Sequence, residues 1–207
     1  MNPQIVKYGL PNLLGYLTKG GNTKVIQFLL DNSAEQDEEA QSSSLYVVAS
    51  DGKVEAIRLL LDNGVDMNTH GGTDGNALQT AAYHGKVEAM RLLLDKGADV
   101  DAHGGSFSYA LQAAAWSGNI EAMLPLLDKG ADVNAQGIHG NALHAAAENG
   151  NIEAVWLLLD KGVDINVHGG NFGNALQAAA WKGNTEAMRI LLDRELMLLC
   201  RVVKDVK

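Results

Sequence analysis

The chain reads as an all-α repeat solenoid, about six short units stacked side by side into a single domain over residues 1–207. Three observations lead there. Gly52, Gly85, Gly118, Gly150 and Gly183 recur at steps of 33, 33, 32 and 33 residues, and Gly64, Gly97, Gly130 and Gly162 keep the same steps. The block between the two series is nearly constant: Lys86-Val-Glu-Ala-Met-Arg-Leu-Leu-Leu-Asp-Lys-Gly97 returns as Asn151-Ile-Glu-Ala-Val-Trp-Leu-Leu-Leu-Asp-Lys-Gly162. Finally, 23 glycines stand against 3 prolines, which fits regularly spaced turns. Self-similarity at a fixed period of this size marks a stack of supersecondary units.

Each unit follows from local chemistry. In Asn76-Ala-Leu-Gln-Thr-Ala-Ala-Tyr-His84, Asn76 is a good N-cap and Gln79 can reach back to the cap's own N–H. Leu78, Ala81 and Ala82 fall on one face of a short helix whose small side chains let a neighbour approach closely. Gly85 breaks that helix. The second helix runs to Asp95, with Val87, Met90, Leu92, Leu93 and Leu94 apolar and Glu88 near its positive end. Gly97 supplies the left-handed residue that stops it. The remainder, Ala98-Asp-Val-Asp-Ala-His-Gly-Gly105, reads as an extended turn or hairpin. Such a unit cannot bury its own faces, so neighbours must stack on it. The expected units span 12–40, 41–72, 73–105, 106–137, 138–170 and 171–193. The first is a degenerate copy carried by Gly21-Asn-Thr-Lys-Val-Ile-Gln-Phe-Leu-Leu-Asp31.

The ends depart from the pattern. The acidic, polar run over residues 33–44 is expected to be a solvated, mobile loop. After Leu192 the repeat is lost, and helical spacing of Leu196, Leu199, Cys200 and Val203 predicts a capping helix over 194–207.

Composition bounds the function. A formal charge of −9 argues against nucleic acid and against an anionic membrane surface, both of which want clustered Lys and Arg. No apolar run approaches a bilayer span, and residues 1–14 show no charged leader before an apolar stretch. One cysteine, Cys200, forbids an internal disulfide and fits a reducing compartment. The expected location is intracellular, cytoplasmic or nuclear.

The period, the pattern Gly-Asn-Ala-Leu-Gln/His-x-Ala-Ala and the run Leu-Leu-Leu-Asp-Lys-Gly-Ala/Val-Asp together resemble ankyrin repeats over residues 12–193. Asn141-Ala-Leu-His144 stands in place of the family's usual Thr-Pro-Leu-His opening, and Asn-Ala-Leu-Gln replaces it elsewhere. That variant is similar to arrays common in filamentous fungi. The resemblance implies a non-catalytic interaction module that binds a protein or peptide through hairpin tips and the inner face of the first helices. The nearest thing to a phosphate loop, at residues 15–20, lacks the Lys-Ser/Thr ending.

Mapped onto this chain, the groove is expected to be lined by the two residues before each mid-unit glycine. Among them are Tyr83, His84, Trp116, Ser117, Glu148, Asn149, Trp181 and Lys182, joined by His103, Phe107, His139 and Phe172. Exposed aromatics suit binding hot spots because they bury much area at little rotamer cost. The alternative is that Tyr83, Trp116 and Trp181 pack against adjacent hairpins. A second reading makes the groove a small-molecule or catalytic pocket walled by Tyr83, His84, Trp116, His139, Glu148 and Trp181.

No cofactor or metal is expected. His70, His103 and His168 recur before Gly-Gly, but stacked units lie about 8–10 Å apart and a shared Zn²⁺ needs ligands about 2.1 Å away. Hydrogen bonding inside each hairpin is expected of them instead. His144 takes the family's structural histidine position, so its i, i+4 spacing from Glu148 does not point to an acid–base pair. On the convex face, Arg58, Arg91 and Arg189 give way to Leu124 and Trp156 in adjacent units. Pro125, costing roughly 3 kcal/mol inside a regular helix, is expected to kink it and tilt Leu124 toward Trp156. The pair is a candidate for weak self-association.

Overall fold

A computed structural model describes residues 20–32 and 38–205, with eleven helices among them and no strand longer than an isolated bridge. In chain order they are α1 Thr23–Asn32, α2 Glu38–Asp51, α3 Val54–Asp62, α4 Ala77–Tyr83, α5 Val87–Asp95 and α6 Ala110–Ser117. There follow α7 Ile120–Asp128, α8 Ala142–Asn149, α9 Ile152–Asp160, α10 Ala175–Lys182 and α11 Thr185–Asp205. First helices α2, α4, α6, α8 and α10 pack in one row, and second helices follow behind them with α1 beside α3. Between units the chain forms tight hairpins, closed by antiparallel pairs Gly72–Gly75, Gly104–Ser108, Gly137–Gly140 and Gly169–Gly173. The chain is an all-helical solenoid.

The core is a ribbon running through the stack. In the first helices Leu78, Ala81 and Ala82 are buried, as are Leu143, Ala146 and Ala147 two units on. In the second helices Met90 and Leu93, Met123 and Leu126, and Val155 and Leu158 repeat the pattern. Alanine at the inner positions lets the first helices pack directly on one another along the stack.

Polar staples lock one unit to the next. The Gln79 amide N–H donates to Ala102 O and Ser108 O at 2.8 and 2.9 Å, while its Oε1 completes the expected capping box with Asn76. Gln112 donates likewise to Ala135 O and Gly140 O. A second staple crosses at the mid-unit turn: Asn119 donates to Tyr83 O, Asn151 to Ala115 O and Trp116 O, and Asn184 to Ala147 O and Glu148 O. A third joins the hairpin bases, where Asn68, Asp101 and Asn134 accept the N–H of Asp99, Asp132 and Asp164. Because each staple ends on main chain, the register of one unit on the next is set by backbone.

Two regions correct the sequence reading. From residue 38 the acidic run is helix α2 and not a loop, while residues 33–37 lie outside the described residues. Ser42 and Ser44 are buried, and Ser42 Oγ meets Thr69 Oγ1 at 2.5 Å. Gly71 sits against the Ser42 carbonyl so closely that any Cβ there would clash at 2.4 Å. Serine is used here because it is small and can be bonded, a tertiary demand that overrides its weak helix propensity. At the other end, residues 194–205 extend the last second helix and do not form a helix of their own. Glu195 stands where Gly64, Gly97, Gly130 and Gly162 take positive φ, so nothing turns the chain out. Leu196, expected to cover the core, is exposed, and the side chains of Leu199, Cys200 and Val203 lie outside the described ones.

Candidate peptide-binding groove

Two positions per unit build a row of side chains along the stack. One is the second residue before the mid-unit glycine, at the end of each first helix: Ser50, Tyr83, Trp116, Glu148 and Trp181. The other immediately precedes the hairpin's closing residue: Asp74, Phe107, His139 and Phe172. Tyr83 stacks on Phe107 at 4.8 Å between ring centroids, Phe107 meets Trp116 at 5.8 Å, and Trp116 meets His139 at 5.3 Å. His84 adds an edge contact to Tyr83 at 5.1 Å. The row stops at Glu148 and resumes with Phe172 stacked on Trp181 at 5.5 Å. Hairpin rings thus alternate with helix rings along the stack.

Packing against adjacent hairpins, one of the two sequence readings of the aromatics, is what the rings do. Tyr83 and Trp116 do pack against hairpin rings, yet both keep part of their surface open, and Trp181 is 74% exposed. Mutual stacking fixes the orientation of these rings.

Glu148 interrupts the row with a carboxylate that is only 7% exposed, and Lys182 Nζ lies 3.2 Å from it. Among the other expected groove residues, Ser117 Oγ bonds back to Ala113 O and Ala114 O, and Asn149 to Ala145 O, so both serve their own helix. His103 stands apart from the row with its ring edge on Tyr109 at 5.1 Å. Sequence reading missed Asp74, which accepts from Tyr46 Oη at 2.9 Å and extends the row toward α2. Burial, then that hydrogen bond to Asp74, pushes the Tyr46 hydroxyl above its usual range. The signal was available, since Asp74, Phe107, His139 and Phe172 share one place in the hairpin.

The hairpin histidines behave less uniformly than expected. His168 Nδ1 donates to Asn166 O at 3.0 Å, within its hairpin, but the His70 ring abuts Gly104 of the next hairpin. Among the described residues no three His, Cys, Asp or Glu side chains are grouped to hold a metal ion. His144 is buried: Nε2 donates to Gly173 O at 2.9 Å and Nδ1 faces the Asn141 N–H at 3.3 Å. Nδ1 also lies 2.7 Å from Asn141 Oδ1, so both ring nitrogens are engaged, one by the next hairpin and one by the cap. Burial first of all holds this imidazole below its ordinary value, opposed by the Gly173 bond and by Glu148. His144 is thus a structural staple, doing at α8 what glutamine does at α4 and α6.

One hairpin breaks the pattern. Ser108 and Tyr109 replace the Gly-Asn of the other units, and Ser108 adopts φ 67°, the left-handed region glycine takes at Gly75, Gly140 and Gly173. The strain is offset locally, because Ser108 Oγ accepts the Ile138 N–H at 3.0 Å. The Tyr109 N–H donates to Phe107 O at 2.8 Å instead of completing a capping box, and Gln112 Oε1 is left buried and unpaired.

A depression beside Phe172 and Trp181, lined also by Asn171, Gln177 and Ala180, is a shallow feature open to solvent. On the outer helices, Leu124 of α7 and Trp156 of α9 are 42% and 46% exposed. Helix α7 runs unbroken through Pro125, which is itself buried. No described helix is long and apolar enough to cross a membrane.

The family model for ankyrin repeats in three copies matches residues 45–137 and again residues 111–199. The chain belongs to the ankyrin-repeat family. Ankyrin repeats are generally protein–protein interaction modules. No curated protein matches the chain.

Proposed function

We propose that this ankyrin-repeat protein is a non-catalytic interaction module whose concave groove takes an extended peptide segment of a protein partner. The observation that carries the reading is the continuous ring row Tyr83, Phe107, Trp116 and His139, resumed by Phe172 and Trp181. These rings are oriented, partly open and mounted on backbone-stapled units, which is what a binding hot spot requires. The depression beside Trp181 has no enclosing walls, so nothing here favours a small-molecule pocket over a peptide surface.

Selection from a random peptide-display library tests the reading. Binders should emerge against the wild-type chain and be lost on Trp116→Ala and weakened on Trp181→Ala, with thermal melts confirming that both variants fold. Binders indifferent to both substitutions would remove the groove from contention. A secondary role in weak self-association rests on Leu124 and Trp156, open on adjacent units. Light scattering at high concentration should show growth that Trp156→Arg abolishes, and a strictly monomeric wild type excludes it.

A further inference from the structure

Resting on that groove reading, we infer that the segment it takes is basic, with an arginine or lysine seated at Glu148 between apolar side chains three residues away on either side. Position by position, the row reads Tyr83, Phe107, Trp116, His139, Glu148, Phe172, Trp181: rings and one carboxylate. Every other unit from α4 onward puts an aromatic where α8 puts Glu148. A carboxylate flanked in the row by imidazole and phenyl rings is a cation recess. The aliphatic stem of a long basic side chain lies on ring faces, and its charge meets both carboxylate oxygen and π-surface.

The chain already shows the recess occupied by the right chemistry. Lys182 reaches Glu148 at 3.2 Å from the next unit, while its own side chain stays 46% exposed. Its ammonium makes a single contact with a carboxylate that is otherwise buried, and the lysine itself is free to swing outward. A guanidinium makes two parallel hydrogen bonds to a carboxylate and stacks on aromatic rings, so an incoming arginine displaces Lys182 at a gain. Along the same row toward α2 lies Asp74, and the chain carries −9 overall, so long-range attraction acts in the same sense.

Spacing follows from geometry. Neighbouring units are offset by about 8–10 Å, and an extended chain advances about 3.3 Å per residue. Three residues therefore match one unit. A basic residue over Glu148 places its neighbours three residues away over Trp116 on one side and Trp181 on the other.

A positional-scanning library of heptapeptides tests this, with the centre varied over all amino acids and phenylalanine or leucine fixed three residues to each side. Binding is read by fluorescence polarisation against wild type, Glu148→Gln, Lys182→Ala and Trp116→Ala. Arginine, then lysine, should dominate the centre. Glu148→Gln should weaken the arginine peptide by about tenfold or more, the scale of a hydrogen bond to a charged group, and leave a norleucine-centred peptide unchanged. Lys182→Ala should tighten the arginine peptide, whereas a merely structural ion pair would make both variants equally neutral or harmful. Peptides lost on Trp116→Ala but showing no basic preference, or a preference that survives Glu148→Gln, would overturn this inference and leave the groove reading standing. Absence of any peptide sensitive to Trp116→Ala would overturn both.

Discussion

Gln79 and Gln177 occupy the same place in their units and make the same capping box, with Asn76 and Asn174. Gln79 is buried and spans to the next hairpin, meeting two carbonyls. Gln177 is exposed, and its amide N–H₂ meets no described protein group beyond α10. The contrast extends across the whole face. Ala82, Ala115 and Ala147 are buried where Ala180 is exposed; Leu94 and Leu159 are covered where Leu192 is 43% open. A repeat sequence specifies each unit alike, but burial depends on having a neighbour, so identical residues carry different energies in the interior and at the end.

Substitution at the paired glutamines should separate these environments most widely. Gln79→Ala strands buried main-chain groups and should cost about 3 kcal/mol, while Gln177→Ala loses only the cap bond and should cost about 0.5–1 kcal/mol. Chemical denaturation measures both. Equal costs would mean that the inter-unit staple contributes nothing.

The mid-unit glycines sharpen the comparison at smaller scale. Gly85 and Gly183 both take positive φ, 63° and 74°, so alanine strains each backbone by about 1 kcal/mol. At Gly85 the added Cβ also meets Asn119 Oδ1 at 2.7 Å and pushes on the staple to Tyr83 O, whereas at Gly183 it meets nothing within 4 Å. Gly85→Ala should therefore destabilise by about 2 kcal/mol against about 1 kcal/mol for Gly183→Ala.

A further distinction lies within the interior. Only α8 uses a titratable staple among the capping boxes described, His144 facing Glu148 and His168. Its folded value is depressed, so the folded state favours the neutral ring. The stability it contributes is present above the ordinary value of 6.5 and declines as pH falls below it, when the unfolded chain takes up the proton more readily. A proton on Nδ1 would also deprive the Asn141 N–H of its acceptor. His144→Gln, which copies α4 and α6, should flatten that decline in melts between pH 7 and pH 5. An unchanged slope would place the acid sensitivity elsewhere.

Much of this was legible in the chain, for physical reasons that also explain the gaps. The period and the Gly, Asn and Leu positions report local needs — caps, helix stops, an apolar face — that each unit must meet alone. Helix α2 escaped because Ser42 is chosen by the hairpin packed on it, a contact between distant residues with no local trace. The ring row was partly visible: Tyr83, Trp116, Trp181 and the hairpin rings share the period. Their alternation, the place of Glu148 in the row and the part played by Asp74 depend on how helix ends and hairpins interleave, which only stacking reveals. Ser117, Asn149 and His103 shared the period but spend their polar or ring contacts locally.

The central claim is that partners bind along the row from Tyr83 to Trp181. Backbone amide chemical-shift mapping during titration with a selected peptide tests it most directly. The account predicts the largest changes at the C-terminal ends of α4, α6, α8 and α10 and at the hairpin positions of Phe107, His139 and Phe172, with the outer helices α5, α7 and α9 nearly silent. Changes centred on Leu124, Trp156 and the outer helices, with the row unmoved, would contradict it.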